Sequence, residues 1–172
     1  AAAVILSETM RMKELVDGIL TISRLDSHDT RLRTEVISLG EFIEEQIDIL
    51  QGLGIAEKVS IGMEKEQEDI RVSADPSLLG KAFQNVVNNC ARYAQSSVTV
   101  SLKREGEWAA VCVKDDGPGL DEKEIPHLFE RFYKGNKGNF GIGLSIARAA
   151  MEYMGGRVQA RNRRPPCHGA EF

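Results

Sequence analysis

Apolar residues return every seven positions through the first 27 residues. Ile5, Met12 and Ile19 form one series, and Leu15 and Ile22 form a second. Interleaved, the two series make the 3-4 seam of a coiled coil or helical hairpin. Val16, Leu20 and Leu25 widen that face beyond what a lone solvated helix carries. The pattern predicts one helix over residues 1–27 that needs cover. A partner helix or a second copy of the chain is the first expectation, and the remainder of this chain is the alternative.

Ser38 and Glu41 stand at capping-box spacing and predict a second helix through about Leu50, ended by Gly52 and Gly54. Residues 59–63 and 70–73 read as two short strands joined by a charged turn from Glu64 to Asp69. Asp75-Pro76 is an N-cap followed by proline at the first helical position. Behind it, Leu78, Leu79, Ala82, Phe83, Val86, Val87 and Cys90 recur at helical spacing. Residues 98–103 and 108–114 alternate as a hairpin, and a loop-rich stretch follows from Asp115 to Asn139. A helix over 144–154 ends at Gly155-Gly156, and residues 158–161 and 170–172 make a last strand pair. This order predicts an α+β fold. It is a two-layer sandwich with a mostly antiparallel mixed sheet, helices on one face, and a long N-terminal helix ahead of it.

The 172 residues suit one ordinary domain with an appended helix, and 42% hydrophobic and 28% charged residues exclude a disordered or collagen-like chain. A net charge of -4 argues against sequence-independent nucleic-acid binding, which depends on neutralising phosphates. The exception is local: Arg157, Arg161, Arg163 and Arg164 suit an anionic or protein partner, although a solvated strand edge is the simpler reading. Cys90, Cys112 and Cys167 show no metal spacing and fit reduced thiols in a cytosolic compartment. No apolar run reaches the roughly 20 residues that span a bilayer, and Ala1-Ala2-Ala3 lacks the charged start of a signal peptide. Gly169 to Phe172 reads as the middle of a strand, so the chain is expected to be part of a longer protein.

Four clusters carry candidate chemistry. In the first, Asn85, Asn88 and Asn89 share one helix face although asparagine is a poor helix former. A conflict of that kind suits a functional site, and amide oxygens are hard donors for Mg²⁺ beside phosphates; a solvated polar face is the other option. In the second, Asp115-Asp116-Gly117-Pro118-Gly119-Leu120 follows a strand. A carboxylate there can accept from an exocyclic amine, and the glycines let a flat ring approach, but the same residues also make an ordinary turn. The third, Phe129-Glu130-Arg131-Phe132-Tyr133-Lys134-Gly135, has aromatic residues at the spacing of a core stripe, with Lys134 and Lys137 in a loop that could close over phosphates. In the fourth, Gly138 to Ala147, glycines run into a helix start, which is an anion site. It is neither a Walker loop nor a dinucleotide fingerprint, and the protein-kinase motif set is absent.

Taken in order, these clusters resemble the N, G1, F and G2 boxes of bacterial sensor histidine kinases, in the GHKL ATPase superfamily. Asn85-x-x-x-Asn89 with Arg92-Tyr93 matches the N box, and Asp115-x-Gly117-x-Gly119 matches G1. Phe129-x-Arg131-Phe132 matches the F box, and Gly141-x-Gly143-Leu144 matches G2. Residues 11–27 resemble the second helix of the dimerisation domain. The resemblance implies a partial dimerisation domain over 1–27, a linker over 28–37 and a GHKL-type ATP-binding domain over 38–172. It also implies Asn89 as the main Mg²⁺ ligand, assisted by Asn85, with Arg92 at a phosphate and Tyr93 beside the nucleotide. Asp115 would accept from the adenine amino group, Gly117 and Gly119 would line the base pocket, and Lys134, Gly141, Gly143 and Leu144 would belong to the lid and the phosphate-facing helix start. Asp116 stands where asparagine is frequent, and Cys90 where alanine is usual.

The implied activity is transfer of the γ-phosphate of Mg-ATP to a histidine. His28, His127 and His168 lie at a helix end, in the third cluster and in a proline-rich loop, which suit structural or exposed roles. The acceptor is therefore expected on a helix missing from this chain, in a homodimeric, membrane-anchored parent whose cytoplasmic domain passes the phosphate to a response regulator. The alternatives are an ATP-hydrolysing GHKL machine, which carries Glu where this chain has Asn85, a sigma-factor-inhibiting serine kinase, and a pseudokinase or interaction module that keeps nucleotide binding.

Overall fold

A computed structural model of the chain describes residues 2–27, 31–53, 59–64, 69–133 and 141–172. The first helix, α1, spans Ala2–Asp26. A short strand, β1 (Glu35–Ser38), precedes α2 (Leu39–Gly52), and β2 (Ser60–Met63) and β3 (Arg71–Ala74) lead into α3 (Pro76–Tyr93). The hairpin β4 (Ser97–Glu105) and β5 (Trp108–Asp115) is followed by a loop holding one 3-10 turn, Ile125–His127. Helix α4 (Gly143–Tyr153) and strands β6 (Arg161–Asn162) and β7 (Ala170–Glu171) complete the order.

α3 forms as its sequence dictates. The Asp75 carboxylate accepts from the N–H groups of Ser77 (3.0 Å) and Leu78 (3.2 Å), a cap worth about 1 kcal/mol, with Pro76 at the first helical position. Its other oxygen takes the Arg33 amide at 2.9 Å and ties down the chain ahead of β1. The predicted apolar face, Leu78 to Cys90, is buried, so the asparagines are left on the opposite side. Val87, Cys90, Ile43, Leu50, Val98 and Val100 form the centre of the core.

The main sheet runs β2-β4-β5-β7-β6, with β2 parallel to β4 and the other pairs antiparallel. α2 and α3 pack on it, and α4 packs on α3, which gives the two-layer architecture. The two short strands do not pair with each other: β2 joins the edge at β4, and β3 pairs antiparallel with β1 in a separate ribbon. The ribbon includes the end of the stretch expected as a linker over 28–37, where Glu35–Ser38 finds its partner in β3. The turn residues 65–68, and also Gly54 and His28, lie outside the described residues. Ser38 does occupy the N-cap position of α2 but makes no side-chain cap bond. Its hydroxyl serves the Asp69 carboxylate instead, which Arg71 first and Ser38 second hold below the usual carboxylate range.

α1 divides its apolar residues. Ile22 packs with Ile142 and Ile146 at the start of α4, joined by Leu15, and Leu25 enters the main core. Met12, Val16, Ile19 and Leu20 are exposed. The helix thus uses the rest of the chain for one stripe and leaves a second stripe uncovered. The side chain of Ile5 is outside the described set.

Candidate functional site

The polar face of α3 forms one wall of a cleft of about 890 Å³. Asn85, Asn89, Arg92 and Tyr93 all line it, and Lys81, one turn before Asn85, extends the row. Asn85 donates Nδ2 to the Lys81 carbonyl at 2.8 Å, so its amide nitrogen is spent within the helix. Its oxygen lies beside Gly143, where a Cβ would stand 2.9 Å away. Asn85 therefore bridges α3 and the first turn of α4. Gly141, Gly143 and Leu144 line the cleft there. Gly141 has φ 60 and sits directly against the Tyr133 backbone, a placement that a side chain would block.

Asp115, at the end of β5, closes the opposite end of the cleft and is only 2% exposed. One carboxylate oxygen accepts from the N–H groups of Gly117 (2.9 Å) and Ala170 (3.1 Å). The carboxylate as a whole lines the cleft. Beneath it, burial first and the Asp115 carboxylate second push the Cys90 thiol far above its ordinary value, so it stays protonated. Gly119 and Leu120 continue the wall. Gly117 takes a different place from the one expected: it stands behind Asp115, with its Cα against the Tyr93 carbonyl, and supplies an amide to the carboxylate rather than a surface to the cleft.

Asp116 turns away and holds the α3–β4 turn. It accepts from the backbone N–H groups of Gln95 (2.8 Å), Ser96 (3.0 Å) and Ser97 (3.1 Å) and from the hydroxyls of Ser96 and Ser97. Burial raises its carboxyl, but these donated bonds outweigh burial and hold it well below the usual range.

The third cluster is split. Phe129 packs against the core, whereas Phe132, at φ 62, is 60% exposed. Tyr133 lines the cleft and stacks near His127, whose Nδ1 meets Glu130 at 2.8 Å. The stripe fails because these residues form turns rather than a helix. Lys134, Lys137 and the glycine loop up to Phe140 lie outside the described residues. Three arginines of the basic run make contacts within the fold: Arg157 lies over the Trp108 ring at 5.9 Å, Arg161 pairs with Glu171, and Arg163 donates to the Asp115 carbonyl at 2.9 Å.

Sequence reasoning missed the fourth wall. Asp17, Gly18, Thr21 and Arg24 of α1 line the cleft, and Lys81 Nζ donates to Thr21 Oγ1 at 3.4 Å. Helical spacing from Asn85 could have found Lys81, but nothing local marks the α1 residues. Asn85 and Asn89, the expected metal donors, both line the cleft. Two amide oxygens from one helix face are the share that Mg²⁺ takes from protein when phosphates and waters fill the remaining positions. Among the described residues no group of three or more His, Cys, Asp or Glu forms a rival metal cluster, and no helix is long and apolar enough to cross a membrane.

Residues 74–172 match the family described as histidine kinase-, DNA gyrase B-, and HSP90-like ATPases. The signal transduction histidine-protein kinase AfsQ2 of Streptomyces coelicolor is 30% identical over 100% of this chain, which spans 32% of that protein. The chain thus covers about a third of the curated relative. The Acinetobacter baumannii histidine kinase AdeS superposes with a TM-score of 0.81 at 18% identity, over 99% of this chain and 80% of that one. The histidine kinase ThkA, in complex with the response regulator protein TrrA, superposes at 0.77 with 22% identity, over 98% and 48% of the two chains. At these identities the two structures speak for the fold.

Proposed function

Because the chain belongs to the family of histidine kinase-, DNA gyrase B- and HSP90-like ATPases, we propose that its cleft binds Mg-ATP and delivers the γ-phosphoryl group to a histidine on a helix that this chain does not include. One observation carries the reading: the α3 asparagines and the Asp115 carboxylate line a single cleft. Asp115 accepts from the adenine amino group, and Gly119 lines the base. Asn89, assisted by Asn85, holds Mg²⁺, which supplies charge neutralisation at the phosphates. Arg92 meets a phosphate, Tyr93 packs beside the nucleotide, and Lys134, Gly141, Gly143 and Leu144 belong to the lid and the phosphate-facing helix start. Transfer to a neutral imidazole needs positioning and electrostatic support rather than a strong base. That suits Asn85, whose amide cannot take a proton from water as a carboxylate can, and it favours a kinase over a hydrolase.

In this reading residues 1–27 belong to a dimerisation domain, with the exposed stripe Met12, Val16, Ile19 and Leu20 covered by a partner helix in a homodimer. Residues 38–172 form the ATP-binding domain. The parent is a membrane-anchored sensor whose cytoplasmic part passes phosphate to a response regulator, as the pairing of ThkA with TrrA suggests.

Calorimetric titration with ATP, with and without Mg²⁺, tests the site. Wild type should bind more tightly with Mg²⁺, and Asn89→Ala should abolish that difference. An unchanged difference removes Asn89 as a ligand. Labelled ATP should leave the chain itself unlabelled and should label an added histidine-bearing helix domain. The chain does hold one His-Asp pair, His28-Asp29, outside the described residues. Acid-labile phosphate on His28 would contradict the proposed route.

A further inference from the structure

The β6–β7 hairpin carries a side chain that no motif singles out. Asn162, part-buried on β6, forms a two-way bridge with one residue of the cleft wall. Leu120 N–H donates to Asn162 Oδ1 at 2.6 Å, and Asn162 Nδ2 donates to the Leu120 carbonyl at 2.9 Å. Gly119 lies under the same carboxamide. At its φ of 82, a Cβ would stand 2.8 Å from Asn162 Oδ1. The next residue, Arg163, donates to the Asp115 carbonyl at 2.9 Å and gives its own amide to Gly169 at 3.0 Å. One strand end thus grips both the Gly119–Leu120 segment and the backbone of Asp115.

A peptide group in the wall of a base pocket reads the base unless its donor and acceptor are already taken. Both groups of Leu120 are taken by Asn162. One Asp115 oxygen is taken by two amides. What the Asp115 carboxylate can offer a base at this end is acceptor oxygen alone. It welcomes an exocyclic amine and repels a carbonyl in the same place. We propose that Asn162 is a positioning residue that makes the pocket selective for a 6-amino purine over a 6-oxo purine. The inference rests on the nucleotide reading given above. Without the carboxamide, the Leu120 peptide can turn its N–H toward the cleft, where it would satisfy a 6-oxo base.

Titration calorimetry with ADP and inosine diphosphate tests this, since the two ligands differ in the base edge: a 6-amino group with a bare N1 in one, a 6-carbonyl with a protonated N1 in the other. Wild type should favour ADP by tenfold or more. Asn162→Ala should lose about tenfold in ADP affinity, the scale of two neutral hydrogen bonds, and its preference should fall toward one. Asn162→Asp keeps the shape and the acceptor for Leu120 N–H but loses the donor to the carbonyl. It should shift the preference in the same direction, and it serves if the alanine variant does not fold. Three results overturn the inference while leaving the nucleotide site standing: wild type indifferent between the two ligands, ADP affinity unchanged in the variants, or both affinities reduced equally, which is what a merely structural role gives. A wild-type chain that binds neither ligand removes the nucleotide reading and this inference with it.

Discussion

The two ends of the cleft are built differently. At the Asp115 end the carboxylate is buried and held by two amides, its backbone is gripped by Arg163, and Asp116 next to it clasps the α3–β4 turn with five donors. At the α1 end the wall is held by Lys81 to Thr21 at 3.4 Å, by a pair between Asp26 and Arg131 whose side chains are about half exposed, by a small apolar knot of Ile22, Ile142 and Ile146, and by Leu25 in the main core. Multiply bonded buried groups move together or not at all, whereas a few exposed contacts open at little cost. Under the proposed function, this contrast suits a preformed base pocket at one end and a more separable wall at the other.

Asp115→Asn strikes the rigid end hardest. The amide keeps an oxygen for Gly117 and Ala170 but puts an NH₂ where the adenine amine would donate. Losing a charge-assisted bond and facing donor to donor should weaken ATP binding by about 3 kcal/mol, more than a hundredfold. Melting should shift by only a few degrees, because the internal bonds survive. Unchanged affinity by calorimetry would mean that the rigid end does not read the base.

Asp116 probes the same end without touching the cleft. Asp116→Ala leaves three turn amides and two hydroxyls to water, and should cost about 1–2 kcal/mol of stability in chemical denaturation while ATP affinity changes less than threefold. The folded carboxyl lies below its unfolded value of about 3.9. Its contribution is therefore fully present above that value and is lost as pH falls below it. Wild type should lose stability through that acid window more steeply than Asp116→Ala. Equal acid slopes would show that the clasp contributes nothing.

What the sequence disclosed follows the same division. The Asp75 cap, the α3 core face and the Asn85/Asn89 pair were legible because each depends on neighbours within one or two helical turns. The Asp115 motif was legible as part of the cleft wall, but the place of Gly117 was not: it depends on the Tyr93 carbonyl at the end of another element. β1 was hidden because four residues without strong alternation become a strand only through β3. Asn162 was hidden because its partner is 42 positions away. Ser38 looked like a capping residue and holds the N-cap position, but makes no side-chain cap bond. The α1 heptads predicted one face needing cover, and the structure splits it: Leu15, Ile22 and Leu25 turn inward and Met12, Val16 and Ile19 outward, a division that depends on where α4 starts.

The separable end gives the smallest effect and the sharpest contrast. Arg131 reaches both oxygens of Asp26, at 2.8 and 2.6 Å, across the gap between the turn segment after β5 and the last turn of α1. Both side chains are exposed, so water and salt replace most of what the pair contributes. Arg131→Ala should therefore cost less than about 1 kcal/mol of global stability. Its effect should appear locally instead, as faster amide hydrogen exchange over the final turns of α1, with exchange in α3 and β5 unchanged. The same local change should appear in the wild type when salt is raised, because screening acts on the same pair. If Arg131→Ala lowers global stability by several kcal/mol, or protection falls equally in α1 and β5, then α1 is an integral layer of the domain and the division between a rigid end and a separable one fails.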